Sequence, residues 1–481
     1  MQAAAPQMDP ALLGRDVASF VIDSREVSDG DVFFALSQPE YRNNGFNGDF
    51  QDSTKFAASA FEAGAVAAVV RRDRADQHHD LLEKYKERLV YVDDAIAALQ
   101  DLAHGVFLEW NRPVVAITGS AGKSTTKELT SRVLEYGGKK ILRNAKNYNN
   151  GLGHPLTVLK LAGDMSFDIA VLEMGMSTPM NEIARLCKIT PPDIAIVLNV
   201  LPVHLEHLGS IDNIAKAKAE IVGGMKPGGT AILNADDKYV AEMKGKVNGE
   251  IVTFGIEHKA DIRAIDIEFA AFGNTRFRLE TPSGLADVMF PLNGMHNVLN
   301  ALAAAAAGHV SGMTVGQIAE QLAMVKGLAQ RGDVLRFSDG FVVIDDSYNS
   351  NPDALISMVR TVMTEAGSHS RKIVVAGEML ELGTEAAHIH RRTGKEIASM
   401  GVDVLIAVGE LGIELAAGAR EAGLKDVFHA NRSDEAGEIL SSMIRSGDLV
   451  LVKGSRGVQV ERAILKLLEK FELEGESGIA A

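Results

Sequence analysis

The chain has 481 residues, with 49 Lys and Arg against 64 Asp and Glu, and a formal net charge of −15. That balance excludes the broad basic face of a non-specific nucleic-acid binder, but not an anionic substrate held by local donors. A hydrophobic share of 46% fits a globular chain of about two to four domains, and a lone cysteine, Cys187, excludes an internal disulfide or a cysteine-based zinc cluster.

Residues 1–112 read as a first α/β unit. Strand-like 20–22 leads into the turn Asp23-Ser24-Arg25, and 30–36 forms a second apolar run. Ser24 and Arg25 are either an ordinary solvated turn or ligand contacts. The polar, Asn-rich stretch 40–52 has little hydrophobic periodicity and reads as a loop. A helix over 56–63 stopped by Gly64, strands at 67–70 and 89–92, and a helix from Ala95 to Trp110 complete the unit. The N-terminal residues lack the basic and apolar pattern of a secretory leader, and the longest apolar run, 301–307, is too short to span a bilayer. A cytoplasmic protein without membrane insertion is the expectation.

Residues 113–326 alternate strands and helices in the manner of a doubly wound parallel sheet. Strands are expected at 114–118, 140–143, 169–173, 194–199, 230–234 and 251–254, and helices at 123–136, 180–186, 211–222 and 239–244. From 262 to 290 the pattern changes to period-2 alternation, which reads as an antiparallel flap. The alanine-rich run after Asn300 reads as the small-residue face of a helix packed on the sheet. Residues 327–481 repeat the open α/β pattern, with strands at 342–345, 373–376, 404–408 and 449–452 and helices at 353–364, 386–400 and 436–444.

The stretch PVVAITGSAGKSTTKELT organises this plan. An apolar strand breaks at Gly119-Ser120-Ala121-Gly122 and resumes as a helix from Lys123. Several backbone N–H groups and a helix N-terminus therefore converge on one spot, which suits a nucleotide phosphate. Lys123 adds a mobile cation, and Ser124 or Thr125 a hydroxyl for Mg²⁺. Ile117 occupies the place of the first glycine of the common G-x-x-x-x-G-K-[ST] pattern, so the motif here is the shorter G-x-x-G-K-S.

Other polar residues stand where their presence needs a reason. Glu173 ends an apolar strand, where a carboxylate is salt-bridged or metal-bound. His204 follows the strand-end Asn199, as a loop histidine or a ligand. Lys218 lies within a helix two positions from Lys216, so the two face different sides, and either is solvated or has a task. Asn297 and Asn300 present amides on one helix face, to cap it or to read a base or ribose. Asp345-Asp346 closes a strand of the third unit and runs into Ser347-Tyr348-Asn349-Ser350-Asn351-Pro352. Together these give an ATP-dependent enzyme without fixing the reaction.

TGSAGKSTTKE, NYNNGLGHPLTVL, LEMG, NVLPVHLEHLGSIDNIAKAKAEI, LNADD, GMHNVLNALAA, QRGDV, DDSYNSNP, GEMLELG and LVKGSRG occur in one order that resembles the Mur ligases of peptidoglycan synthesis, in particular those that add D-alanyl-D-alanine. DSR…DGDVFFAL is similar to their UDP-binding domain. The resemblance implies three domains: a small α/β UDP-sugar domain at 1–112, a central P-loop ATPase domain at 113–326, and a C-terminal Rossmann-like domain at 327–481 for the amino substrate. It implies ligation of D-alanyl-D-alanine to a UDP-N-acetylmuramoyl-tripeptide through an acyl phosphate, with ATP and two Mg²⁺ ions, by a monomeric bacterial enzyme of the cytoplasm.

By position, Gly119 to Thr125 match the ATP phosphate site, with Lys123 on the transferred phosphoryl group. Ser124 and Glu173 match the first Mg²⁺ site, and His204 with a carbamylated Lys218 the second. Asn297 and Asn300 match the adenine side, and Arg331 and Asp346 the residues that reach back to ATP. Asn149 and Asn150 match contacts near the reacting carboxylate, and Ser24 and Arg25 the UDP-sugar site. Asn349, Asn351 and the loop 378–383 match the D-alanyl-D-alanine side. The stretch 37–56 departs from the family's shorter loop, and Leu201-Pro202-Val203 replaces a Gly-Pro-Ala. Sister ligases usually carry an Asp-Asn-Pro-Arg motif absent here, folylpolyglutamate synthases lack the first domain, and a non-catalytic ATP switch needs no second metal site.

Overall fold

A computed structural model describes residues 7–46, 49–145, 148–176, 181–202, 208–269, 274–292, 294–325, 330–365 and 371–474. Among the described residues three sheets run in succession. The first has the order Gln7–Met8, Leu89–Val92, Ala67–Arg71, Val32–Phe34, Phe20–Val21, parallel except for its first strand. The third runs Asp333–Arg336, Val342–Asp345, Asp448–Lys453, Arg371–Gly377, Val404–Val408, Asp426–Ala430, again parallel except at its first strand. The expected boundary at 326/327 falls outside the described residues.

Among the described residues the central sheet has nine strands, and its middle decides where a ligand can sit. Val114–Thr118 lies between Ile169–Glu173 and Ile194–Val197, both parallel to it. After Val114–Thr118 the chain moves first to one side of it and then to the other. The crevice at its carboxyl end is therefore a topological switch point, the place where open parallel sheets bind ligands. All five residues of Val114–Thr118 are buried, as expected for a strand covered on both faces.

Each face has its own apolar layer. Val115 and Ile117 pack with Leu129 and Val133 of the helix Lys123–Leu134 and with Ala301 to Ala307 of Met295–Val310. Short side chains let that second helix come close to the sheet. Ala116 and Leu172 pack on the other face with Leu99, Ala103 and Phe107 of the helix Ala95–Trp110. The same cluster takes in Val32, Phe34 and Val69 of the first sheet. One helix thus joins the first two units into a continuous core.

Two of the stretches described in the sequence take another form. Residues 262–290 are antiparallel along most of their length but form no separate flap: Ile262–Phe269 pairs in parallel with Glu250–Gly255, and Thr275–Thr281 and Gly284–Phe290 extend the same sheet to its edge. The stretch 40–52 begins inside a helix, Gln38–Asn43. Its stability comes from capping and tertiary contacts that periodicity does not register. Glu40 reaches back to the Ser37 N–H at 2.6 Å and accepts the Ala95 N–H at 2.8 Å, while Tyr41 packs against Phe46 and Phe50. Arg185 of the central unit donates to the Asn44 carbonyl at 2.9 Å, which fastens this segment across the two units.

Candidate active site

The turn after Val114–Thr118 is set by glycines and braced by asparagines. Gly122 has φ +83°, and a Cβ on it would lie 2.5 Å from Asn300 Oδ1. Only glycine meets both demands. Asn199 accepts the Ala121 N–H at 2.9 Å and donates to the Ala121 carbonyl at 3.2 Å, and the Ser120 N–H donates to the Asn199 carbonyl. Ser120 Oγ exchanges hydrogen bonds with the backbone of Leu201. The loop is therefore a rigid backbone cradle at the start of a helix, the arrangement that binds phosphate. Lys123 curls over it, with Nζ 2.8 Å from the Gly119 carbonyl. Burial pulls its ammonium below the usual lysine range, Arg331 adds to that, and Glu173 opposes it.

Beside the loop, Ser124 Oγ donates to Glu173 Oε2 at 2.7 Å, and Asn149 donates to Glu173 Oε1 at 2.8 Å. Asn144 fixes the Glu173 backbone through both its N–H and its carbonyl. Asn150 accepts the Leu152 and Gly153 N–H groups and so holds the start of the helix Gly153–Gly163. Along the helix Ile211–Gly223, Lys216 is exposed while Lys218 is 2% exposed. Burial, with the charge of Lys123 added, pushes the Lys218 ammonium well below the usual lysine range. Among the described residues no carboxylate forms an ion pair with it.

The third unit supplies the opposite wall. Arg331 lies over the Tyr348 ring with its guanidinium carbon 4.0 Å from the centroid. Asp346 accepts from Lys453 Nζ at 2.6 Å, and Lys453 also donates to the Asn349 carbonyl at 2.8 Å. Asn351 accepts the Ala354 N–H in the first turn of the helix Pro352–Glu365. The two walls enclose a cavity of about 650 Å³, lined among others by Ser120 to Thr125, Asn149, Asn150, Glu173, Asn297, Asn300, Arg331, Asp346, Asn349 and Asn351.

Most of the residues singled out in the sequence thus meet in one place. Gly119 supports the loop from below, against Leu198. Asn300 accepts from Thr126 and donates to Asn297, so it braces the helix as well as facing the cavity. Ser24 and Arg25 lie elsewhere, in the first unit, where an exposed Arg25 is held by Asp23. That pairing lowers the Asp23 carboxyl to about 2. His204 lies outside the described residues. Asn144, Tyr348, Lys453 and His296 were not singled out. His296 and Lys453 line the cavity, and the signal for Lys453 was present in LVKGSRG, without a partner to give it meaning.

A nucleotide-type phosphate loop facing a second α/β unit across a polar cavity defines a class: enzymes that hold a nucleotide between two α/β domains. Residues 117–308 match the Mur ligase middle domain, and residues 330–456 the Mur ligase, glutamate ligase domain. UDP-N-acetylmuramoyl-tripeptide–D-alanyl-D-alanine ligase of Bacillus subtilis (strain 168) is 31% identical over 451 residues, 93% of this chain and 92% of that one. A crystal structure of MurF from Acinetobacter baumannii superposes with TM-score 0.82 at 28% identity, covering 97% and 99% of the two chains. MurF ligase from Thermotoga maritima, in complex with ADP, gives 0.79 at 27%, covering 96% and 99%. The chain belongs to the Mur ligase family, among its UDP-N-acetylmuramoyl-tripeptide–D-alanyl-D-alanine ligases.

Proposed function

We propose that the cavity is where a muramyl-tripeptide carboxylate is activated and then captured by the amine of D-alanyl-D-alanine. The chain is an ATP-dependent ligase of peptidoglycan precursor synthesis that joins D-alanyl-D-alanine to UDP-N-acetylmuramoyl-tripeptide. The observation that carries the site assignment is the single cavity shared by the phosphate loop, Glu173, Arg331 and Asp346.

A carboxylate is a poor acyl donor until one of its oxygens becomes a leaving group. In the first stage a tripeptide carboxylate oxygen takes the γ-phosphoryl group, the bond to ADP breaks, and an acyl phosphate forms. In the second the neutral amine attacks the acyl carbon, the tetrahedral intermediate expels phosphate with the bonding electrons, and the amine loses its proton. Lys123 and the loop N–H groups hold the phosphoryl group, and Arg331 neutralises charge from the other wall. Asn149, bonded to Glu173, and Asn150 line the cavity for the tripeptide carboxylate.

The residues present fit a hard divalent cation. The Ser124 hydroxyl and Glu173 carboxylate form an oxygen pair beside the phosphate loop, which leaves further positions to phosphate and water. Bound Mg²⁺ supplies charge neutralisation to the transferring phosphoryl group. A second ion would be held by His204 and a carbamylated Lys218. The depressed ammonium supports this, because only a neutral amine adds carbon dioxide, and the resulting carbamate is an anionic oxygen donor.

We assign residues 1–112 to the UDP-sugar, with Ser24 and Arg25 as contacts. We assign 113–326 to ATP, with Asn297 and Asn300 toward adenine, and 327–481 to the dipeptide, with Asn349, Asn351 and the loop 378–383. We assign the chain as a monomer of the cytoplasm without membrane insertion on the family resemblance; no described helix is long and apolar enough to cross a membrane. Mass spectrometry after mixing the protein with Mg²⁺-ATP, UDP-N-acetylmuramoyl-tripeptide and D-alanyl-D-alanine tests the reading. The UDP-pentapeptide with stoichiometric phosphate is expected. Ligation of a single amino acid to a shorter precursor would move the chain to a sister ligase.

A further inference from the structure

Ligation requires a grip on both ends of the dipeptide. Its amine must reach the acyl carbon, and its far end carries a carboxylate that cannot lie in the cavity uncompensated. Among the described residues, Lys123, Arg331 and Lys453 are the lysine and arginine side chains that line the cavity. Lys123 is bent over the phosphate loop, and Arg331 lies on Tyr348. Lys453 differs from both. It is 4% exposed, ends the strand Asp448–Lys453, and donates to Asp346 at 2.6 Å and to the Asn349 carbonyl at 2.8 Å. An ammonium has three N–H bonds, and no third described residue accepts from this one.

A second observation lies one residue along the chain. The Asn349 carbonyl belongs to the peptide group that leads into Ser350, which also lines the cavity and is 7% exposed. Ser350 Oγ is buried and has no hydrogen-bond partner among the described residues. Its backbone is not free to find one. The Ser350 N–H donates to Asn349 Oδ1 at 2.9 Å, its carbonyl accepts from Ser455 Oγ at 3.3 Å, and Asn351 is tied to Ala354. A buried hydroxyl without a partner costs stability, and one that lines a cavity is placed for a ligand to complete its hydrogen bonding.

We propose that Lys453 and Ser350 form the subsite for the C-terminal carboxylate of D-alanyl-D-alanine. The remaining ammonium N–H and the hydroxyl each donate to a carboxylate oxygen. Asp346 already occupies one N–H of this ammonium, so the uncharged Ser350 hydroxyl supplies the second donor that the incoming carboxylate needs. The inference deepens the ligase reading and rests on it.

The test compares D-alanyl-D-alanine with D-alanyl-D-alaninamide, which lacks the charged carboxylate, at saturating Mg²⁺-ATP and UDP-tripeptide. Wild type is expected to prefer the free acid by about 100-fold in kcat/KM. Ser350→Ala should cut that preference about tenfold by raising KM for the dipeptide, with KM for ATP and for the UDP-substrate within about twofold of wild type. Its Tm without substrates should equal or exceed that of wild type, because the orphan hydroxyl is gone, whereas a structural role predicts a lower one. Lys453→Gln should lose more of the preference, and Lys453→Arg should recover part of it. If the lysine variants do not fold, Ser350→Ala alone decides. Equal use of acid and amide by wild type would overturn the subsite, as would an unchanged preference in Ser350→Ala or an equal loss for both substrates. A wild type that ligates neither would sink the ligase reading, and the subsite with it.

Discussion

The two walls of the cavity are built by different means. The central wall is a local object: Gly119 to Thr125 follow one strand and open one helix, and Asn199 and Asn300 brace the turn. The wall of the third unit is assembled from Arg331, the segment 346–351 and the strand-end Lys453, joined by an ion pair and a cation–ring contact. The first presents fixed backbone dipoles that need no rearrangement when phosphate charge shifts. The second depends on buried side-chain charges, which are costly to bring together and worse to leave unpaired. A transferring phosphoryl group makes the same demand in every cycle, so a rigid cradle serves it. A second substrate must be admitted and recognised, which suits a wall of side chains.

The largest expected effect disables the unit that carries the central wall. Lys218→Ala should reduce turnover by roughly a thousandfold or more while the protein still binds ADP, measured by phosphate release and by calorimetry. Substantial residual turnover would remove the carbamate proposal, as would the lack of a carbamate ¹³C signal in protein equilibrated with labelled bicarbonate. Gly122→Ala breaks the same wall sterically. Its methyl would meet Asn300 at a φ that suits glycine, so KM for ATP should rise about 100-fold with KM for the dipeptide little changed.

The wall of the third unit should fail through stability. Asp346→Asn leaves the buried Lys453 without its counter-charge and should cost about 3–5 kcal/mol in urea unfolding. Adding Lys453→Met should restore part of that loss, a coupling that the backbone-built wall has no means to show.

The smallest effect concerns Glu40, a carboxylate used as a brace between two backbone N–H groups. Burial pushes it up to about 7 from an ordinary 4.5, although both N–H donors pull the other way. The folded state therefore binds a proton that the unfolded state has already released between pH 4.5 and 7, and stability falls as pH rises across that window. Relative to Glu40→Gln, wild type should lose roughly 2–3 kcal/mol over it, read from paired unfolding curves.

The same contrast explains what the sequence made legible. The phosphate loop is contiguous, so its glycines, Lys123 and Ser124 can be read in one line. Glu173 and Lys218 stand out as polar groups in apolar surroundings, but their tasks come only from the resemblance. Lys453 lies 107 residues from Asp346 and 104 from Asn349, and nothing in its own neighbourhood announces the pairing. The helix Gln38–Asn43 was hidden for a related reason. Glu40 is fixed by Ser37, three residues back, and by Ala95, far along the chain, not by an apolar stripe. The edge strands from Ile262 to Phe290 alternate as expected, yet only their pairing with Glu250–Gly255 shows which sheet they extend.

The central claim is that one cavity activates a carboxylate as an acyl phosphate and then transfers the acyl group to an amine. The most direct measurement uses UDP-N-acetylmuramoyl-tripeptide carrying ¹⁸O in its reacting carboxylate. With both carboxylate oxygens labelled, mass spectrometry of the inorganic phosphate released after a single round of ligation should find one ¹⁸O atom, because one of those oxygens becomes the bridge to phosphorus and leaves with it. Phosphate free of label, alongside normal UDP-pentapeptide, would contradict the account.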